Sequence, residues 1–87
     1  MISFSINIED EIGFHARTAS LFAKKASTFN SDIFVKFNGK KVSAKSTLSL
    51  MTLGVKSRDQ IILIAEGIDE KEAHEALVSY IKNNFKE

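Results

Sequence analysis

The stretch Ile2-Ser3-Phe4-Ser5-Ile6-Asn7-Ile8 decides the fold. Large apolar side chains take every second position and small polar ones the positions between, the period of a strand with one face buried and the other in water. A sheet with one wet face needs its cover on the other. The first cover follows at helical spacing: Ala19, Phe22, Ala23, Ala26 and Phe29 recur along 16–29, with Arg17, Lys24 and Lys25 turned toward the other side. Asn30-Ser31-Asp32 breaks that helix. Ile33, Val35 and Phe37 then alternate up to Asn38-Gly39, a two-residue hairpin signal, so a third short strand through Val42 is expected to pair back antiparallel.

Ser46 ahead of Thr47-Leu48-Ser49-Leu50-Met51-Thr52-Leu53, with Gly54 behind it, brackets a helix of barely two turns. Ile61-Ile62-Leu63-Ile64-Ala65 is the most continuously apolar and β-branched run, as a well-buried fourth strand requires, and Gly67 ends it. Asp69 and Glu72 read as a capping-box variant opening a last helix, whose stripe is Ala73, Ala76, Leu77, Tyr80, Ile81 and Phe85. The expected fold class is α+β, an open-faced β-sandwich of β-α-β-β-α-β-α order. It has a four-stranded, mostly antiparallel sheet with three helices on one face, in one domain spanning 1–87.

Composition narrows the function. The 87 residues carry 12 basic and 11 acidic side chains, a formal charge of +1, which argues against a broad nucleic-acid surface and leaves local charge clusters to meet any charged partner. Cysteine is absent, so thiol chemistry and thiolate metal sites are excluded; two histidines far apart give little support for a metal centre, and no cofactor motif is present. Residues 1–8 show no basic stretch followed by a hydrophobic block, and no segment approaches the ~20 apolar residues of a membrane span. The expectation is a soluble cytoplasmic protein with no direct membrane insertion, acting as a monomer.

The chemistry concentrates in Gly13-Phe14-His15-Ala16-Arg17-Thr18-Ala19, where a strand hands over to a helix. A helix N-terminus offers unpaired N–H groups and about half a positive charge, and Arg17 adds a whole one, so a phosphoryl group on the His15 ring would be stabilised by both. A neutral imidazole is a competent nucleophile toward phosphorus near neutral pH. On position alone, a histidine that only caps the helix is an equal reading, and Arg17 tilts the balance toward phosphate. No carboxylate base, metal cluster or glycine-rich nucleotide loop accompanies the pair, which describes a carrier of phosphoryl groups better than an enzyme. The remaining features have bland readings as well. Ser46 fits a structural N-cap, Leu48 and Met51 fit core positions, and Lys40, Lys41 and Lys45 fit a solvated hairpin and loop. Leu21 lies off the apolar stripe near Arg17 and Lys24, the position of an exposed docking residue among cations, and His74 reads as a surface residue in a charged stretch.

Gly13-Phe14-His15-Ala16-Arg17, Asn38-Gly39-Lys40-Lys41-Val42, Lys45-Ser46 and Met51-Thr52-Leu53-Gly54-Val55 together resemble HPr, the histidine-containing phosphocarrier of the bacterial phosphotransferase system, over essentially the whole chain and in the order and spacing of that family. The resemblance implies that enzyme I, charged by phosphoenolpyruvate, phosphorylates Nδ1 of His15, that the backbone of Ala16, Arg17 and Thr18 together with the Arg17 side chain holds the phosphate, and that sugar-specific IIA components receive it. It implies docking through Leu21, Lys24, Leu48 and Met51. For the Gram-positive and mollicute type it further implies that Ser46 is phosphorylated by an HPr kinase/phosphorylase and then read by a catabolite-control regulator. Thr47-Leu48 departs from the isoleucine-methionine pair common in that type. Thr18 departs too, standing where the family usually has proline: threonine restores an N–H and adds a hydroxyl, so the expectation is retained phosphate binding with an altered transfer rate or phosphohistidine lifetime, against a neutral replacement. Two rival functions remain at this point, a small acyl-phosphate or phosphate-ester hydrolase and a Ser46-dependent regulatory module that has lost transfer.

Overall fold

The computed structural model describes residues 1–8 and 13–86. The elements run β1 (Ile2–Asn7), α1 (Ala16–Ala26), β2 (Asp32–Phe37), β3 (Lys40–Ser43), α2 (Thr47–Met51), β4 (Gln60–Glu66) and α3 (Glu70–Lys82). The four strands form one sheet in the order β1-β4-β2-β3, with every neighbouring pair antiparallel. β4 is therefore paired along both edges, which suits its unbroken apolar run. The turn between β2 and β3 holds both Asn38 (φ 50) and Gly39 (φ 78) in the left-handed region, the two-residue geometry whose twist matches the flanking strands.

Register explains the open face. Phe4 lies opposite Leu63, Leu63 opposite Val35 and Val35 opposite Val42, one row across the sheet on the helix side. The adjacent row, Ser3-Ile64-Phe34-Ser43, points to solvent, where the Lys41 Nζ sits 4.5 Å from the centre of the Phe34 ring. Between sheet and helices Ile33, Val35, Ile61 and Leu63 meet Phe22 and Ala26 of α1, Leu50 of α2, and Leu77 and Ile81 of α3, all buried. Each such side chain stabilises the fold by ~1.5–3 kcal/mol, and a chain this short has few to spare. Among the described residues no helix is long and apolar enough to cross a membrane.

Several local expectations change. α1 stops at Ala26 because Ser27 caps it, its N–H and Oγ both donating to Ala23 O at 2.9 and 2.8 Å; Thr28 and Phe29 follow in a tighter turn. Asp69 holds the N-cap position of α3, but its side chain makes no bond to the helix. Its carboxylate reaches across to the α1–β2 connection, accepting from the N–H groups of Asn30 (2.9 Å) and Ser31 (2.8 Å) and from the Ser31 hydroxyl. These bonds, the Ser31 hydroxyl first and the Asn30 N–H next, hold the Asp69 carboxyl below its ordinary value. His74 is buried, not a surface residue. Its Nε2 lies 3.1 Å from Leu63 O, and since a carbonyl only accepts, Nε2 carries the proton. Phe4 lies against that ring at 5.2 Å between centroids, yet stays 63% exposed because β1 is the sheet edge and α3 covers only its inner side. Phe85 falls beyond the end of α3. Asn84 and Phe85 turn left-handed (φ 56 and 62), Phe85 N–H donates to Tyr80 O at 2.9 Å, and the ring folds back into the core.

Candidate functional site: the N-terminus of α1

His15 is the N-cap of α1, with extended backbone (φ −110, ψ −175). Its Nδ1 accepts from the Arg17 N–H at 3.4 Å, and the Thr18 N–H is also directed at the His15 side chain. An accepting Nδ1 carries no proton, so its lone pair points at the positive end of the helix. The cap is reciprocal. His15 N–H donates to Thr18 Oγ1 at 3.1 Å, and the Thr18 hydroxyl donates to Gly13 O at 2.6 Å, a capping box built from histidine and threonine in place of the commoner serine and glutamate.

Gly13 has a close neighbour. With φ 88, it lies so near the turn before β4 that a Cβ would stand 2.4 Å from Val55 O, and Phe14 N–H donates to that same oxygen at 3.2 Å. The segment ahead of His15 is thereby pinned to the body of the molecule. Beneath it Phe14, Phe22, Tyr80 and Phe85 form an aromatic floor, with Phe14 5.4 Å from Phe22 and 5.8 Å from Phe85 between ring centroids. The left-handed turn at Asn84–Phe85 completes that floor, a contribution to the site that the helical spacing of Phe85 does not reveal.

The surroundings are cationic and partly apolar. Ala16 and Arg17 are exposed, His15 is half-buried and Thr18 fully buried; the first turn of α1 carries no acid, and Lys24 and Lys25 lie in its last turn. Leu21 corrects the expectation of an exposed residue: it is half-buried and lines a groove with Lys24, Lys25, Thr28, Tyr80 and Phe85. Of the two readings of Leu48 and Met51 the exposed one holds, at 73% and 41% exposure, on an α2 that packs beside α1. Ser46 is the N-cap of α2, half-buried, its Oγ accepting from Ser49 N–H at 3.2 Å. All three loop lysines have partners: Lys40 Nζ reaches Thr52 Oγ1 (3.2 Å), Lys45 Nζ reaches Phe29 O (2.9 Å) just past the end of α1, and Lys41 lies over the Phe34 ring.

Residues 2–83 match the family model described as the PTS HPr component phosphorylation site. The chain belongs to the HPr family. It is 44% identical to the HPr-like protein Crh of Halalkalibacterium halodurans over 94% of its own length and 98% of that relative's. Its fold superposes on a crystal structure of the HPr of Thermoanaerobacter tengcongensis with a TM-score of 0.95, at 46% identity, covering all of this chain and 98% of that one. A crystal structure of an HPr dimer from the same organism, 45% identical and covered in full on both sides, superposes at 0.75. HPr proteins are phosphocarriers of the phosphotransferase system in sugar transport and not catalytic enzymes, the class that a lone histidine and arginine without a base or metal already indicated.

Proposed function

We propose that His15 is the phosphoacceptor of this HPr-family chain, taking a phosphoryl group from enzyme I and passing it to sugar-specific IIA components. One observation carries the reading: Nδ1 faces the N-terminus of α1, 3.4 Å from the Arg17 N–H. In the transfer, the Nδ1 lone pair forms the new N–P bond while the bond from phosphorus to enzyme I breaks and its electron pair stays on enzyme I. The phosphoryl oxygens then take the N–H groups of Ala16, Arg17 and Thr18, and the exposed Arg17 guanidinium offsets their charge. Transfer to a IIA component reverses these steps on a different acceptor. Leu21, Lys24, Leu48 and Met51 form the docking surface for both partners, apolar side chains among cations that fit an apolar patch with an acidic rim.

Ser46 is a regulatory phosphorylation site in this reading, modified by an HPr kinase/phosphorylase and recognised by a catabolite-control regulator. The position of the hydroxyl at a helix N-cap lends support, since added negative charge there is compatible with the helix and alters the docking face without unfolding it. The protein works in the cytoplasm as one domain spanning 1–87 and as a monomer in this reading. A single dimeric species in sedimentation would overturn the monomer assignment. For the carrier itself, the chain is incubated with enzyme I, Mg²⁺ and phosphoenolpyruvate and its intact mass is read beside that of His15→Ala. One acid-labile phosphoryl group on the parent, absent from the variant and discharged by a IIA protein, is the expected result; no modification with active enzyme I refutes it.

A further inference from the structure

We infer that the Thr18 hydroxyl is a positioning group for phosphoryl transfer at His15, setting how firmly the phosphorylated histidine is held; this rests on the carrier reading above. Thr18 is 0% exposed, so its hydroxyl meets neither solvent nor an incoming phosphate and acts only through its neighbours. Its one hydrogen goes to Gly13 O at 2.6 Å in preference to His15 O at 3.4 Å, and its lone pair receives the His15 N–H at 3.1 Å. The hydroxyl thus joins the residue before Phe14 to the cap residue after it. Gly13 is itself pressed against Val55 and Lys56, so the clamp is anchored in the body of the protein.

The clamp differs from the ring's own contacts in what phosphorylation does to it. Before transfer, Nδ1 is held by the Arg17 N–H and the ring by the Thr18 N–H as well. Once Nδ1 bonds to phosphorus its lone pair is used, and those N–H groups turn to the phosphoryl oxygens. The bonds from Thr18 Oγ1 to Gly13 O and from His15 N–H to Thr18 Oγ1 involve no atom of the ring. They survive the transfer and hold the cap residue so that the N–P bond stays aimed at the helix end. Loss of the hydroxyl should weaken the phosphorylated state more than the free one.

Thr18→Val and Thr18→Ser separate this role from simple packing, since the first keeps the methyl group and replaces the hydroxyl by a second methyl, and the second keeps the hydroxyl and removes the methyl. Three quantities are read: the equilibrium constant for phosphoryl exchange with enzyme I, the first-order hydrolysis rate of the purified phosphoprotein, and the thermal midpoint. Thr18→Val loses both hydrogen bonds of the hydroxyl and is expected to shift the exchange toward enzyme I by about threefold to tenfold, a difference between the two states equal to the worth of about one of those bonds. Its hydrolysis should quicken by a similar factor. Thr18→Ser is expected to stay within about twofold of the parent in both, even where its midpoint falls through the lost methyl. Should the valine variant not fold, Thr18→Ala is read the same way. Exchange and hydrolysis equal to the parent in the variants lacking the hydroxyl, or equal shifts in Thr18→Ser and Thr18→Val, overturn the inference while the carrier reading stands. A parent chain that accepts no phosphoryl group from active enzyme I overturns both.

Discussion

Replacing His74 by alanine tests the packing of α3 against the sheet at the position where the structure departs most from the charged sequence around it. The ring is 4% exposed, donates from Nε2 to Leu63 O at 3.1 Å and lies 5.2 Å from the Phe4 ring. Its removal forfeits the hydrogen bond, ~1 kcal/mol. The ring contact adds ~0.5–1 kcal/mol. The emptied volume adds about 1–2 kcal/mol, because β4 and α3 are held by other contacts and collapse only in part. The sum is ~3 kcal/mol. For a domain of this size that corresponds to a fall in thermal midpoint of roughly 10–20 °C. With a urea slope near ~1.5 kcal/mol/M, the urea midpoint falls by about 2 M. Circular dichroism under both perturbations reads this directly. His74→Leu, which fills the space without the donor, should lose only about 1 kcal/mol. A His74→Ala variant within ~0.5 kcal/mol of the parent, the range of an exposed site, would refute the burial and the bond to Leu63.

Other predictions follow from the site and the helix connections. Arg17→Ala should slow phosphoryl acceptance from enzyme I by about tenfold or more, the worth of a charge-assisted contact, while leaving the thermal midpoint unmoved; unchanged kinetics would remove Arg17 from the site. Leu48→Glu should keep the fold within ~0.5 kcal/mol, because the side chain is 73% exposed, and raise KM for transfer with both enzyme I and a IIA component; equal KM values would take α2 out of the docking surface. Asp69 gives a pH signature. Its folded carboxyl titrates below the unfolded one, so it contributes stability above the ordinary aspartate range near ~4 and loses it as pH falls through the lowered folded value. Urea midpoints of parent and Asp69→Asn should therefore differ at neutral pH and converge in acid, and a gap that does not depend on pH would contradict the hydrogen bonds to Asn30 and Ser31.

The fold was legible where one residue pattern answers to one local geometry. The alternation of 2–8, the Asn38-Gly39 turn and the β-branched run before Gly67 all carry their structure in their own composition, and His15 beside Arg17 at a helix start identifies the site. What was not legible depends on contacts between distant segments. Asp69 stands at the N-cap position its neighbours indicate, but its carboxylate is satisfied from Asn30 and Ser31, nearly forty residues away in sequence, and not from the helix. Leu21 shares an angular position with cations, yet the end of α3 reaches back to form the groove beside it. The spacing did hold one overlooked signal, because His74 stands three residues before Leu77 and seven before Ile81, on the buried stripe; its charged flanks and its residue type obscured that. Thr18 is the subtlest case. A threonine in the first turn reads as a mild helix cost until its hydroxyl is seen between Gly13 O and the His15 N–H.

The central claim is that the phosphoryl group resides on Nδ1 of His15 at the N-terminus of α1, and phosphorus–nitrogen coupling in the ¹⁵N-imidazole-labelled chain after treatment with enzyme I and phosphoenolpyruvate tests it most directly. The account predicts coupling from phosphorus to Nδ1 of His15, accompanied by a marked shift of the Arg17 amide resonance. Coupling to Nε2, or a phosphoryl signal that persists unchanged in His15→Ala, would contradict it.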